Sequence, residues 1–295
     1  MPQPDRLATE DIDESVGAGL DSLDTPPGEK RPGFWRRFLW NFAPPLGALA
    51  LLIVVWQILW AAAFWPETQL PAPLAVWHEL VDIFSTGRAF EFIWTSVHRA
   101  VLGFLVAVLI GTPLGLLVAK VKVVRQAIGP LLSGLQSLPS VAWVPAAILW
   151  FGLKDGAIYF VVLLGSVPSI ANGLVAGIDH IPPILPRVGR VMGANRLSAA
   201  RHILLPAALP GFLAGLKQGW AFSWRSLMAA ELIARSPDLG VGLGAYLNEG
   251  SSFNAMETVI AAIFLILLVG VGIELIVFRP LERAVLRARG LTTSL

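Results

Sequence analysis

From residue 101 to residue 119 the chain carries no charged side chain at all. A helix rises 1.5 Å per residue, so about 20 apolar residues cross the roughly 30 Å hydrocarbon core of a bilayer. Inside that core every backbone N–H and C=O must be satisfied within the segment, which leaves the helix as the form such a run takes. Comparable runs lie at 46–64, 128–153, 157–178, 207–233 and 259–278. Together they predict an all-α polytopic membrane protein with six transmembrane helices. The third run is broken by Pro130, Pro139 and Pro145, and the turn holding Lys154 and Asp155 separates it from the fourth. The fifth contains Lys217, Arg225 and Glu231, and the sixth only Glu274. Only 14% of residues are charged, against roughly 25% in an average soluble domain, and the mean hydropathy is +0.69. These values exclude a soluble enzyme, a nucleic-acid-binding domain and a disordered scaffold. With no cysteine, disulfides and thiolate metal sites are excluded too.

Lysines and arginines of short loops are retained on the cytoplasmic side. Lys30, Arg31, Arg36 and Arg37 precede the first span, and Lys120, Lys122 and Arg125 follow the second. Arg187, Arg190, Arg196 and Arg201 follow the fourth, and Arg279, Arg283, Arg287 and Arg289 follow the sixth. The alternate segments hold only Arg88, Arg99, Lys154 and Arg235. Both termini are therefore expected in the cytoplasm. Residues 1–33 hold eight of the twenty acidic residues and no apolar run, and read as a disordered cytoplasmic tail. The first transmembrane segment is placed at 34–65, an outer segment at 66–96 and the core at 97–290. Within 66–96, Val76, Leu80, Val81 and Phe84 fall at helical spacing opposite Glu79 and Asp82. Such a helix lies flat on the outer interface or seats an external partner.

The chain has no G-x-x-x-x-G-K-[ST], so it hydrolyses no nucleotide itself. His78, His98, His180 and His202 are scattered, with no H-E-x-x-H, and no metal site, catalytic constellation or nucleic-acid surface is expected. Small residues recur at four-residue spacing at Gly111/Gly115, Gly173/Gly177 and Gly211/Gly215/Gly219. That spacing lets helices approach closely, within the bundle or between copies.

Polar groups inside spans are costly and face a cavity or the bundle interior. Gln136, Ser137 and Ser140 surround the broken third span, Ser166 and Asn172 share the fourth, and Gln218, Ser223 and Arg225 belong to the fifth. These are the candidate lining of a translocation path, although serines and asparagines in helices also bond to backbone carbonyls. Arg225 lies about 27 Å along a span of about 39 Å, in its outer half. A guanidinium there either holds an oxyanion through paired hydrogen bonds or meets a protein carboxylate. Glu231, six residues on, is poorly placed to pair with it within one helix, and Lys217 is expected to snorkel toward the cytoplasmic interface.

The loop at 179–206 is the most informative. Pro182, Pro183 and Pro186 break the preceding helix, and the composition of 187–202 predicts a short helix. Val188, Val191 and Met192 mark its apolar face, and Arg187, Arg190 and Arg201 its polar one. Periodicity leaves open whether it meets anionic lipid or a groove on a soluble partner. Leu205-Pro206 reads as a fixed turn into the next span.

Gly193, then nine residues, then Ile203-Leu204-Leu205-Pro206 resembles the cytoplasmic signature loop of binding-protein-dependent ABC importer permeases. Arg187-Val188-Gly189 stands where that signature has Glu-Ala-Ala, so a contact made by its glutamate does not carry over. The runs at 138–145, 149–152, 205–210, 229–233, 240–244 and 281–283 resemble the nitrate/sulfonate/taurine branch. The resemblance covers about residues 46–290 and implies a type I ABC importer permease fold in a bacterial inner membrane. It implies a homodimer, two cytoplasmic subunits that bind ATP and Mg, and an extracytoplasmic substrate-binding protein. The chain itself would carry no cofactor and no enzyme activity. Its coupling segment, seated on the ATPase, would comprise Arg187, Arg190, Val191, Met192, Gly193, Ala194, Asn195, Arg196, Ile203, Leu205 and Pro206. The cargo expected first is an aliphatic sulfonate, with nitrate, taurine, bicarbonate or a heterocyclic nutrient as alternatives. Outside the family, the competing expectation is a secondary transporter driven by an ion gradient.

Overall fold

The computed structural model describes residues 34–193, 195, 198, 200–234, 236 and 239–287. The acidic tail expected over 1–33 lies outside them. The chain divides into two units near Leu59. In the first, helix α1 (Phe34–Ala61) contains the apolar stretch Leu46–Ala61. The second unit holds α2 (Pro73–Ser85), α3 (Arg88–Lys120), α4 (Lys122–Ser137), a 3-10 turn (Ser140–Trp143), α5 (Val144–Phe151) and α6 (Asp155–Asp179). After these come α7 (Ile184–Val191), a π-turn (Ala200–Leu204), α8 (Leu205–Ile233), α9 (Leu243–Ser252), α10 (Met256–Ile273), a second π-turn (Glu274–Phe278) and α11 (Arg279–Arg287). Among the described residues there is no strand.

Each expected span falls on helix, but the spans are not alike. Among the described residues α3, α6 and the continuous run Met256–Arg287 are each long and apolar enough to cross a membrane. The third expected span is corrected: α4 and the Ser140–Phe151 leg meet at 98°. The bend sits at Leu138-Pro139, where Leu138 is held extended at φ −80°, ψ 127°, as the residue before a proline is. Pro145 falls in the first turn of α5, where its missing N–H has no partner to lose. Helix α8 is 29 residues long and is charged at Lys217, Arg225 and Glu231.

Helix α6 is the centre of the second unit, with α3 on one side and α8 on the other. The small residues make this possible. A Cβ on Gly215 would lie 2.7 Å from the Gly173 Cα, and one on Gly177 would lie 2.7 Å from the Ala208 carbonyl oxygen. On the other side a Cβ on Gly115 would lie 2.9 Å from the Ala171 carbonyl oxygen. The glycine spacings therefore serve packing inside the chain.

Two local expectations change. Helix α3 begins at Arg88, so residues 88–96 belong to the second spanning helix and not to a separate outer segment. In α2, Val76 and Ile83 are buried and Leu80 packs on the core, while Val81 and Phe84 stay exposed. Glu79 does not face away: the Tyr246 hydroxyl donates to it at 2.6 Å and Thr258 Oγ1 at 3.2 Å. Burial, then the bond to Glu79, pushes the Tyr246 phenol well above its usual range, so it remains the donor of that contact.

Candidate functional site

The bend between α4 and α5 is where polar groups collect. Gln136, at the end of α4, donates from Nε2 to Ser169 Oγ at 2.9 Å and accepts from Asn172 Nδ2 at 2.7 Å. Both partners lie on α6, so the amide is fixed from two sides. One turn on, Ser140 Oγ and Ser226 Oγ are 2.7 Å apart, tying the bend to α8. Between these contacts opens a cavity of about 340 Å³, walled by Gln136, Ser137, Pro139, Val141, Phe222 and Arg225 among others. Ser137 turns its hydroxyl back to the Gly134 carbonyl at 2.7 Å.

Arg225 enters this cavity from α8. Its Nε donates to the Ala221 carbonyl at 3.0 Å, and its Cζ sits 4.7 Å from the Phe222 ring centroid. The ring face holds the guanidinium by cation–π attraction and leaves the terminal nitrogens available. Among the described residues no carboxylate pairs with Arg225, and Glu231 is turned to another partner. The cavity thus offers an accessible cation, with Gln136, Ser137 and Ser140 beside it, on walls otherwise mostly apolar.

The remaining expected path residues lie elsewhere. Ser166 is fully buried and donates to the Val162 carbonyl one turn back at 2.6 Å. Ser223 is buried with its hydroxyl unpartnered. Gln218 lines a second cavity of about 380 Å³ with Pro210, Lys217, Glu274, Phe278 and Glu282. Lys217 does not simply snorkel: it lies 2.5 Å from Glu274 and 3.6 Å from Glu282.

The loop 179–206 departs from the single helix expected over 187–202. Helix α7 runs Ile184–Val191, starting directly after Pro182-Pro183 and accommodating Pro186 near its start. It stops before Gly193, whose φ of +76° is the left-handed conformation glycine adopts without penalty at a helix end. Ala194 and Arg196 lie outside the described residues, as does the side chain of Arg190. Asn195 Oδ1 accepts the Ser198 N–H at 2.8 Å. The chain then passes through the Ala200–Leu204 π-turn straight into α8, so Leu205-Pro206 begins the helix instead of forming a turn. Ile203 Cδ1 fills the space where Gly189 lacks a side chain, which joins the two limbs of the loop. Arg187 and Leu205 are exposed. So are Val188, and above all Val191 at 88% and Met192 at 80%. That apolar corner has no partner within the described chain.

Sequence reasoning missed the polar cluster at the opposite end of the helices. Arg99, read as a loop arginine, is inside α3 and nearly buried, and Glu231 on α8 accepts from its Nη1 at 3.1 Å; their side chains are 7% and 1% exposed. Arg99 Nε also donates to Asp155 Oδ1 at 2.8 Å, and Nη2 donates to the Leu239 carbonyl. Ser96 Oγ donates to Glu231 Oε2 at 2.7 Å and accepts the Leu243 N–H at 2.8 Å. The Gly244 N–H donates to the same carboxylate oxygen at 3.1 Å. A Cβ on Gly244 would lie 2.7 Å from the Glu231 Cβ, and one on Gly242 would strike the carboxylate. The runs 229–233 and 240–244 are therefore two halves of one contact. The available signal was the pair of charges, Arg99 and Glu231, near the same end of two spans.

Residues 111–283 match the model of the binding-protein-dependent transport system inner membrane component family. The taurine transport system permease protein of Escherichia coli is 28% identical over 235 residues, covering 78% of this chain and 84% of that protein. The putative aliphatic sulfonates transport permease protein of Bacillus subtilis is 28% identical over 269 residues, covering 91% and 93%. A nitrate import permease protein of Synechocystis is 28% identical over 239 residues, covering 78% and 84%. Among solved structures, the inward-facing MetNI methionine ABC transporter matches with a TM-score of 0.52 and 19% identity over 66% of this chain and 95% of that one. That likeness shows the fold of a type I ABC importer permease, and the family match sets aside the gradient-driven transporter. The two intramembrane carboxylates which that alternative needs are held by Arg99 and Lys217. The match over more than half the chain places this protein in the family of binding-protein-dependent ABC transport permeases.

Proposed function

We propose that this permease conducts small oxyanions, aliphatic sulfonates first, through a path that includes the cavity at the α4–α5 bend. The observation that carries the reading is Arg225: a guanidinium on the long helix α8, free of any carboxylate among the described residues, at a cavity with mostly apolar walls. Paired N–H donors match a sulfonate, and the apolar walls favour an organic tail over a bare inorganic ion. Relatives named for taurine, sulfonates, nitrate and bicarbonate all carry anions or a zwitterion with an anionic group.

The assembly in this reading is a homodimer in a bacterial inner membrane, with both termini cytoplasmic. Two ATP-binding subunits dock at the corner formed by Val188, Val191 and Met192, and an extracytoplasmic binding protein delivers cargo at the Arg99 end. Because α7 is tied through Gly189–Ile203 to the π-turn that continues into α8, a push on α7 reaches the helix that carries Arg225. Alternating access then follows from rigid-body motion.

The test is ATP hydrolysis by the chain purified with its ATPase in lipid nanodiscs, with the binding protein loaded with one ligand at a time. Stimulation by an alkanesulfonate, abolished by Arg225→Gln and only partly restored by Arg225→Lys, supports the reading. Equal stimulation of wild type and Arg225→Gln overturns the role of Arg225. Stimulation by nitrate or bicarbonate alone overturns the cargo and leaves the family standing.

A further inference from the structure

Helix α11 continues the last spanning helix without a break, the whole running Met256–Arg287. The 18 residues of α10 and the 5 of the π-turn together span about 34 Å, slightly more than the roughly 30 Å hydrocarbon core. The first turn beyond the core is therefore the start of α11, at the depth where headgroups begin.

The side chains of α11 divide accordingly. Its single carboxylate, Glu282, is turned toward Lys217 of α8 at 3.6 Å, and Val285 and Leu286 line the same cavity. Arg279, Arg283 and Arg287, at four-residue spacing, form one exposed stripe. None of the three pairs with a carboxylate among the described residues. Beside them on the exposed arc are Pro280, Ala284 and Leu281. A helix whose open side is half arginine and half apolar, at the depth where hydrocarbon gives way to phosphate, matches the makeup of a membrane interface.

We infer that the Arg279/Arg283/Arg287 stripe is a binding surface for anionic phospholipid headgroups, whose phosphates take the place that carboxylates leave empty. Helix continuity with a span selects lipid over a soluble protein as occupant, because it fixes the stripe at headgroup level whatever else assembles. The inference requires only that the chain spans a membrane. It stands whether or not the cargo reading holds.

The experiment titrates the purified full-length chain in neutral detergent with fluorescent phosphatidylglycerol, with phosphatidylcholine as reference. Each surface arginine contributes about fivefold to the affinity for an anionic membrane surface at low salt. Arg283→Gln/Arg287→Gln should therefore weaken phosphatidylglycerol binding by roughly 10- to 30-fold, and the difference should shrink as salt rises. The control, Arg283→Lys/Arg287→Lys, keeps the charge at the same two positions and should change binding less than about threefold. Equal losses in both pairs would mean that cationic charge at the stripe is not what binds, and would overturn the inference. So would no preference for phosphatidylglycerol, full competition by inorganic phosphate, or loss of ATPase co-purification with lipid preference intact. Thermal unfolding of both variants close to that of the wild type shows that binding, not folding, is being read.

Discussion

The two ends of the second unit use the same kinds of charge in opposite ways. At the Arg99 end, a guanidinium and a carboxylate are almost fully withdrawn from solvent and ringed by Ser96, Asp155, the Leu239 carbonyl and two backbone N–H groups. At the loop end, Arg125–Asp179 and Lys217–Glu274/Glu282 are half-exposed pairs, and the apolar corner of α7 is uncovered. A buried pair fixes geometry because separating it strands a charge in a medium that cannot solvate it. Exposed pairs exchange partners with water at little cost. One end is thus built to keep its arrangement, the other to accept a new one.

The largest effect should come from breaking the buried pair. Arg99→Met leaves Glu231 without its cation and is expected to destabilise the chain by about 3–5 kcal/mol, read as thermal unfolding in detergent. Arg99→Met/Glu231→Met should recover a substantial part. If the single variant unfolds no earlier than Lys217→Met, the contrast between the ends is wrong.

Next comes the glycine seam of α6 and α8. Gly215→Ala drives a methyl into the backbone of α6 and should cost about 1–3 kcal/mol. Gly134→Ala, which meets open space, should be neutral or slightly stabilising because alanine is the better helix former. Similar unfolding temperatures for the two would refute the seam as a close contact.

Gln136→Ala removes both hydrogen bonds that hold the bend to α6, an expected loss of about 1–2 kcal/mol. In the proposed path it should also lower transport more than a stability-matched change remote from the bend. The smallest effect belongs to Lys217→Met, about 1 kcal/mol or less given how exposed all three partners are. Hydrogen exchange offers a sharper form of the same comparison. Amides of α7 should exchange much faster than those of α6, since α7 has few packed neighbours and α6 is flanked on both sides.

Much of this was legible in the residues. Hydropathy located the helices, prolines marked the bend at Leu138-Pro139, and four-residue glycine spacing marked the seam. Gln136, Ser137, Ser140 and Arg225 were named from polarity alone, and they share one cavity wall. Ser166, Ser223 and Gln218 were named by the same rule and lie elsewhere, because polarity within a span does not say which way a side chain turns. The helix expected over 187–202 ended early for a local reason: composition favoured helix throughout, but Gly193 took a left-handed conformation.

Hydropathy, turn residues and glycine spacing act over a few residues, so the sequence by itself determined where helices lie, where the chain bends and which faces can approach closely. Partner choice is different. Arg99 meets Glu231 across 132 positions, and Gln136 meets Asn172 across 36. Nothing local selects those pairs. Only once α3 and α8 pack on α6 do Glu231 and Asp155 both come within reach of Arg99, while Arg225 is left facing a cavity. The desolvation that makes the first pair rigid, and the opening that leaves the second cation available, exist only in the packed structure.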